Sequence, residues 1–412
     1  MNSPTVNLTC REWCYLRIGE NGLSENKAER LHTLAELAAQ RLKLPETAVL
    51  TRTHRGLKAG QVVGILATSG MTLEILPKID GDDGEVRKAL VRMLTVTWGL
   101  PVADGELAAL DTQRHDLLEL LIRLFADRLL AAVRRGMPRR YLAYEEDLAL
   151  LRGKLNVKRQ LTHLIVRPDR LACRFDELSE DTPLNRVFKA AIIRLSSIAR
   201  SAANTRRLAE LTARLEFVHD TPNPLRELVR LDRTNTAFHD LYRLARIFLA
   251  GDWQSTTGGR AEGFTLLFAM NSLFEEFIGK SLKRALAPCP VHLQHSKHCV
   301  VKNADGGLFG LRPDAVIKKS PPIILDTKWK HLTLEEKTLG VAQSDIYQML
   351  AYAQAYDAGR LILLYPWHKE IGEPGIISRD WKVTGTSRQL DIATIDVGQP
   401  EQAAETLRII AR

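Results

Sequence analysis

The chain has 412 residues, 45% of them hydrophobic, which is enough to build two or three domain cores and excludes a disordered chain. Its 58 Lys and Arg against 49 Asp and Glu leave a net charge of +9, which suits a polyanionic partner without naming one. Five scattered cysteines fit a reducing compartment rather than a disulfide framework. There is no basic-then-apolar leader and no apolar run of about 18 residues, so the expectation is a soluble, cytoplasmic protein with no membrane contact.

The first predicted element is a helix after Ser24-Glu25-Asn26, where Leu31, Leu34, Ala35, Ala38 and Leu42 recur at helical spacing. Residues 49–79 are rich in β-branched side chains and broken at Gly56, Gly60 and Ser69-Gly70, which predicts short strands and tight turns. Arg52, Arg55 and Lys58 gather around Gly56, a composition suited to a projecting hairpin that contacts a partner. Residues 80–84 turn into a helix carrying Val86, Leu90, Met93 and Leu94.

From about 105 to 255 the pattern is mostly helical. Leu117, Leu118, Leu121, Leu124, Phe125 and Leu129 form one stripe, closed by Arg134-Arg135-Gly136. Residues 141–180 read as less regular, and helical stripes return at 184–203 and 238–249. The stretch 252–259, with Ser255-Thr256-Thr257-Gly258-Gly259, is the expected linker. Beyond it come a helix at 268–286, a strand at 291–301, a glycine-rich turn and the short apolar runs Ala315-Val316-Ile317 and Ile323-Ile324-Leu325. A helix at 345–356 and a buried strand at 361–365 complete an αβββαβ order, a small mixed sheet flanked by helices.

The chemistry concentrates at Arg312-Pro313-Asp314 and Ile324-Leu325-Asp326-Thr327-Lys328. Asp314 opens one apolar strand and Asp326 ends the next, with eleven residues between them, so a hairpin can bring the two carboxylates to one sheet edge. Adjacent carboxylates repel unless a cation lies between them, and Mg²⁺ (or Mn²⁺ in its place) suits such oxygen ligands. Lys328, two residues after Asp326, points to the same strand face, where its ammonium can orient water and stabilise charge on a phosphate. This is the spacing of the PD-(D/E)xK nucleases. Glu275 on the preceding helix matches their additional acid and third metal-ligand candidate. Gln348 and Tyr352, four apart on the following helix, share one face.

The sequence resembles the McrC family, the nuclease subunits of the McrBC modified-cytosine restriction systems. The resemblance is carried by Leu76-Pro77-Lys78-Ile79, Leu151-Arg152-Gly153-Lys154-Leu155, Met270-Asn271-Ser272-Leu273-Phe274-Glu275-Glu276-Phe277, Arg312-Pro313-Asp314, Asp326-Thr327-Lys328-Trp329-Lys330 and Asp345-Ile346-Tyr347-Gln348-Met349. It implies an antiphage, 5-methylcytosine-directed endonuclease subunit that cuts double-stranded DNA and stimulates GTP hydrolysis by a separate McrB-like AAA+ partner. The sequence has no G-x-x-x-x-G-K-[ST], and Gly279-Lys280-Ser281 reads as mid-helix, so nucleotide hydrolysis is expected of that partner. The expected architecture is an α+β multidomain chain. It comprises an N-terminal mixed β/α adaptor domain (1–104), a mainly helical linking domain (105–258) and a C-terminal PD-(D/E)xK restriction-endonuclease-like α/β domain (259–412).

The expected roles are metal binding by Asp314, Asp326 and Glu275, water handling by Lys328 and positioning by Gln348. Arg312, Lys330 and Tyr352 are candidate DNA contacts. Two readings compete with this one: a stand-alone repair or resolvase nuclease of the same superfamily, and a non-cleaving adaptor that activates the motor. The patch Cys289, His292, His295, His298 and Cys299 is placed on alternating faces of one strand, which argues against a shared zinc. Arg134-Arg135, Arg139-Arg140 and Arg206-Arg207 are basic pairs more often found as solvated helix ends than as DNA contacts. Trp329 reads as core rather than as a base-stacking platform, and Glu276 points away from Glu275 on the helix.

Overall fold

The computed structural model describes residues 6–68, 70–100, 116–250, 263–303 and 306–412. They fall into two compact units, one drawn from 1–120 together with 252–412, the other from 121–251. The expected linker at 252–259 and the expected boundaries at 104 and 258 lie outside the described residues. Among the described residues no helix is long and apolar enough to cross a membrane.

The first unit begins with β1 (Val6–Arg11), β2 (Tyr15–Arg17), α1 (Glu25–Leu42), β3 (Leu50–Thr53), β4 (Gly56–Ala59), β5 (Val62–Thr68), β6 (Met71–Leu76) and α2 (Asp83–Trp98). Helix α1 starts where the Ser24 side chain accepts from Lys27 N, as its sequence signal predicts. Its stripe of Ala28, Leu31, Leu34, Ala35 and Ala38 packs with Leu50, Leu57, Leu66 and Leu73 in one core. Asp82 and Glu85 form a reciprocal capping box at the start of α2.

The second unit carries most of α3 (Leu117–Arg135), then β7 (Arg140–Leu148), β8 (Lys154–Leu155), α4 (Val157–His163), β9 (Leu171–Ser179), α5 (Pro183–Ile198), α6 (Ala202–Arg214) and α7 (His239–Ala250). The stretch expected to be irregular is a long antiparallel hairpin, paired from Arg140 with Ser179 to Leu148 with Leu171. Most of β7 is half-buried or exposed on both faces, so its sequence lacks the clean apolar–polar alternation that marks a half-buried strand. At the far end of the hairpin Leu150 is 81% exposed and Val166 79%, with Leu151, Leu161 and Ile165 exposed beside them.

The chain then returns to the first unit through β10 (Gly263–Ala269), which pairs antiparallel with β5 and completes the sheet β1-β6-β5-β10. This corrects two expectations. The helix expected from 268 starts at Met270, as α8 (Met270–Ala285), because Phe264, Thr265 and Phe268 belong to a strand. The N- and C-terminal segments also share one compact unit rather than forming two domains, because each supplies strands to the same sheet. Gly64 makes that pairing possible: its φ is +128°, and a Cβ there would lie 2.0 Å from Leu266 O.

After α8 come β11 (Val291–Leu293), β12 (His298–Asn303), β13 (Gly306–Leu311), β14 (Ala315–Ile317), β15 (Ile323–Thr327), α9 (Gln343–Tyr356), β16 (Arg360–Pro366), β17 (Ile376–Lys382), β18 (Gln389–Ile395) and α10 (Pro400–Ile410). The strand expected at 291–301 is split, with Gln294 at φ 47° between the two parts. β11 joins a six-stranded sheet of order β11-β14-β15-β16-β18-β17, while β12 and β13 form a separate ribbon. In the sheet β14 runs antiparallel to β15, and β15 runs parallel to β16. Val316, Ile324, Leu361, Leu363, Leu390 and Ile392 form a core with Met349, Tyr352 and Ala353 of α9.

Candidate active site

The β14–β15 register pairs Ala315 with Leu325, so the residues just beyond that pair, Asp314 and Asp326, meet at one sheet edge. Asp314 Oδ2 accepts from both Thr327 N and Thr327 Oγ1 at 2.6 Å, which binds the two strand ends together. Asp326 is 2% exposed, and its Oδ2 lies 2.8 Å from Lys328 Nζ. Burial, reinforced by the Asp326 charge, pushes the Asp314 carboxyl up to about 6, against the two Thr327 hydrogen bonds. Burial raises Asp326 as well, with Lys328 opposing the rise. Burial alone would lower Lys328, but Asp326, Asp345 and Asp314 outweigh it and hold the ammonium above its ordinary value.

The flanking helices complete the cluster. Lys328 Nζ donates to Gln348 Oε1 at 2.9 Å, Gln348 Nε2 to Tyr352 OH at 2.8 Å, and Tyr352 OH to Arg312 O at 3.1 Å. This chain of bonds runs from the lysine back to the segment that carries Asp314. Glu275 on α8 accepts from Gln294 Nε2 at 2.6 Å, and burial together with the Asp314 charge raises its pKa, so it faces Asp314. All five residues expected to carry catalysis are therefore together.

The candidate DNA contacts divide. Arg312 and Lys330 are exposed beside the site, Arg312 donating to Gln294 Oε1 and Lys330 Nζ lying 3.2 Å from Asp345 Oδ2. Tyr352 is corrected: it is 4% exposed, its hydroxyl is committed to Gln348 and Arg312, and burial and Asp326 push its pKa up to about 12. It is a neutral structural link, out of reach of a nucleic acid.

Sequence reasoning gave no role to Asp345, which is buried and sits between Lys328 at 3.6 Å and Lys330 at 3.2 Å. The available signal was its place three residues before Gln348 on the same helical face. Gln294 and Thr327 also hold the site, and neither is marked by residue type. Arg134, Arg139, Arg140 and Arg207 pair with Glu210, Glu180, Asp232 and Asp127 respectively. Trp329 packs edge-on against Phe274 at 5.1 Å, Glu276 pairs with Lys280, and Gly279-Lys280-Ser281 lies inside α8. His295 and His298 lie against Tyr356, with ring centroids 5.5 and 4.3 Å away.

The expected partner-contact residues lie on the small sheet β2-β4-β3. There Arg52 pairs with Glu25, Lys58 sits over the rings of Trp13 and Tyr15 at 5.8 and 5.3 Å, and Arg55 is exposed at the turn.

Residues 57–366 match the family described as McrBC 5-methylcytosine restriction system component. A chain in the refined half-complex from the tetradecameric assembly of Thermococcus gammatolerans McrB AAA+ hexamers with bound McrC shares the fold, with TM-score 0.78 at 23% identity over 98% of this chain and 99% of that one. A chain of the cryo-EM structure of the Thermococcus gammatolerans McrBC complex aligns with TM-score 0.58 at 27% identity, over 69% of this chain and 89% of that one. No match is found among curated proteins. Because the family match spans well over half of the sequence and takes in Glu275, Asp314, Asp326, Lys328 and Gln348, this chain belongs to the McrBC 5-methylcytosine restriction system component family.

Proposed function

We propose that this chain is the DNA-cleaving subunit of a modified-cytosine-dependent restriction complex, a Mg²⁺-dependent endonuclease acting with an McrB-like AAA+ GTPase. The observation that carries the reading is the meeting of Asp314, Asp326 and Lys328 at adjacent strand ends, in a chain of this family.

The donor set fits a hard cation. Asp326 is buried with its Oδ2 2.8 Å from Lys328 Nζ, and a second carboxylate, Asp314, stands beside it. Among the described residues no three His, Cys, Asp or Glu side chains form a closed cage, but Mg²⁺ needs only one or two carboxylates, with water and phosphate oxygens completing its shell. Asp314 and Asp326 would hold the ion, with Glu275 beside Asp314 for it or a water, and Mn²⁺ would substitute. When bound, the ion neutralises charge on the scissile phosphate and makes a water more acidic. Lys328 places its ammonium where it can orient the attacking water and stabilise negative charge, and Gln348 fixes the direction of that ammonium. Arg312 and Lys330 meet neighbouring phosphates.

The sequence carries no G-x-x-x-x-G-K-[ST] nucleotide-binding loop, and its solved relatives come from an assembly of McrB AAA+ hexamers with bound McrC and from an McrBC complex. For docking to such a motor, the exposed Leu150, Leu151, Leu161, Ile165 and Val166 are a better-supported surface than the basic hairpin, where Arg52 and Lys58 are already engaged.

The test is cleavage of 5-methylcytosine-containing plasmid by this chain with an McrB-like partner, GTP and Mg²⁺. Wild type should cut and Asp326→Ala should not. Undiminished cutting by a folded Asp326→Ala protein would remove the site assignment, and wild type that raises GTP turnover without cutting would favour the adaptor reading.

A further inference from the structure

We infer that Glu12, far from the nuclease motif in sequence, is a positioning residue for Lys328 that acts through Trp329; the inference rests on the nuclease reading above. Glu12 follows β1 and is 1% exposed. Its Oε2 accepts from Trp329 Nε1 at 3.0 Å and from Lys78 N at 3.0 Å, while Oε1 is buried with no hydrogen-bond partner among the described residues. Trp329 is the residue immediately after Lys328.

Two further contacts grip the same short segment. Gln61 Nε2, just before β5, donates to Trp329 O at 3.1 Å and to Asn271 Oδ1 at 3.1 Å. His331 Nε2 lies 3.0 Å from Lys78 O. Trp329 and His331 are thus held by three residues that flank strands of the N-terminal sheet, Glu12 after β1, Gln61 before β5 and Lys78 after β6, and Lys328 N is tied on its other side to Leu364 O at 2.9 Å. Lys328 Nζ meets Asp326 at 2.8 Å and Gln348 at 2.9 Å, and both contacts lengthen if the backbone at 328–329 shifts, so a fixed backbone keeps the ammonium in place. A misplacement of about 1 Å in a catalytic group costs on the order of a hundredfold in rate.

A carboxylate is an expensive way to fill a buried gap. Burial pushes Glu12 up to about 7 despite the hydrogen bonds from Lys78 and Trp329. What the position supplies is an acceptor that takes the indole N–H and a backbone N–H together.

Three variants test this in the full complex. Glu12→Leu removes the acceptor, Glu12→Gln keeps one, and Trp329→Phe keeps the ring against Phe274 but removes the donor. With thermal melts showing folded protein, Glu12→Leu and Trp329→Phe should each lower kcat by about tenfold or more, with KM for DNA and partner GTP turnover within about twofold of wild type. Glu12→Gln should stay within about twofold throughout, and Glu12→Leu combined with Trp329→Phe should be no worse than the poorer single variant. The NMR signal of the Lys328 ammonium, assigned by its loss in Lys328→Arg, should move in Glu12→Leu and Trp329→Phe and stay put in Glu12→Gln. That signal reads positioning even if wild type fails to cut DNA, an outcome that would count against the nuclease reading alone. A folded Glu12→Leu protein with an unmoved Lys328 signal and wild-type kcat would overturn the inference. So would a loss of cleavage that appears equally in Glu12→Gln.

Discussion

Gln348 differs from the acids around it because its part is to aim a charge rather than to hold one. Its amide accepts from Lys328 and donates to Tyr352, so the lysine ammonium is directed as well as attracted. Gln348→Ala should therefore lower cleavage by about tenfold and leave DNA affinity unchanged, whereas Asp326→Ala should remove cleavage altogether. A Gln348→Ala protein that loses DNA binding in step with rate would make it a DNA contact instead. Glu12 allows a second prediction at this scale. Its pKa is raised from 4.5 to about 7 in the folded protein, so the folded state binds the proton more tightly than the unfolded state does. Stability should consequently fall as pH rises between those values, by a few kcal/mol at most. Glu12→Gln should melt higher than wild type at pH 8, and the gap should close towards pH 4.5. A gap that does not vary with pH would place the titration elsewhere. Of the candidate site, Asp314, Asp326 and Lys328 are legible in the sequence through residue type and spacing, and Glu275 and Gln348 through their match to nuclease elements. Glu12 and Gln61 are not legible, because Trp329, which both hold, lies hundreds of residues away and nothing local marks either as special.

Elements with a strong local period were read well, and those defined by distant pairing were not. Helix α1 and strands β3 to β6 follow their apolar spacing and their glycine breaks. Strand β10 goes unmarked in the sequence, and its last two residues fall within the helix expected at 268–286, because it becomes a strand through pairing with β5, about two hundred residues earlier in the chain. The hairpin β7–β9 escaped notice for the opposite reason, since few of its side chains are buried enough to impose alternation. The dependence of β10 on β5 is testable at Gly64. Replacing it by Val puts a branched side chain at φ +128° against Leu266 O, which should cost a few kcal/mol and lower the melting temperature by several degrees. A melting temperature equal to that of wild type would mean that β5 and β10 are not paired as described. At the exposed end of the β7–β9 hairpin, Leu150→Asp and Val166→Asp should leave stability unchanged and reduce stimulation of the partner's GTP hydrolysis. Charge reversal at Arg55 should do less. Full stimulation by both aspartate variants, with loss on Arg55→Glu, would return docking to the basic hairpin.

At the scale of the molecule, the interleaving of the N- and C-terminal segments changes what a truncation can mean. A fragment from about residue 105 looks, from the sequence, like a self-sufficient nuclease with its adaptor removed. In the structure it would leave β10 without β5 and strip Glu12, Gln61 and Lys78 from the segment that follows Lys328. Such a fragment should fail to fold, as judged by circular dichroism and protease resistance, and cannot separate docking from cutting. Point variants in the full chain can. The central claim is that Asp314, Asp326 and Lys328 form a working nuclease centre that needs a small, hard cation, and the most direct measurement is plasmid cleavage in the full complex with Mg²⁺ and Ca²⁺ side by side, for wild type and Lys328→Ala. Wild type should cut in Mg²⁺ and bind DNA without cutting in Ca²⁺, whose looser coordination misplaces the attacking water, and Lys328→Ala should cut in neither. Equal cutting in the two ions, or undiminished cutting by Lys328→Ala, would contradict that claim.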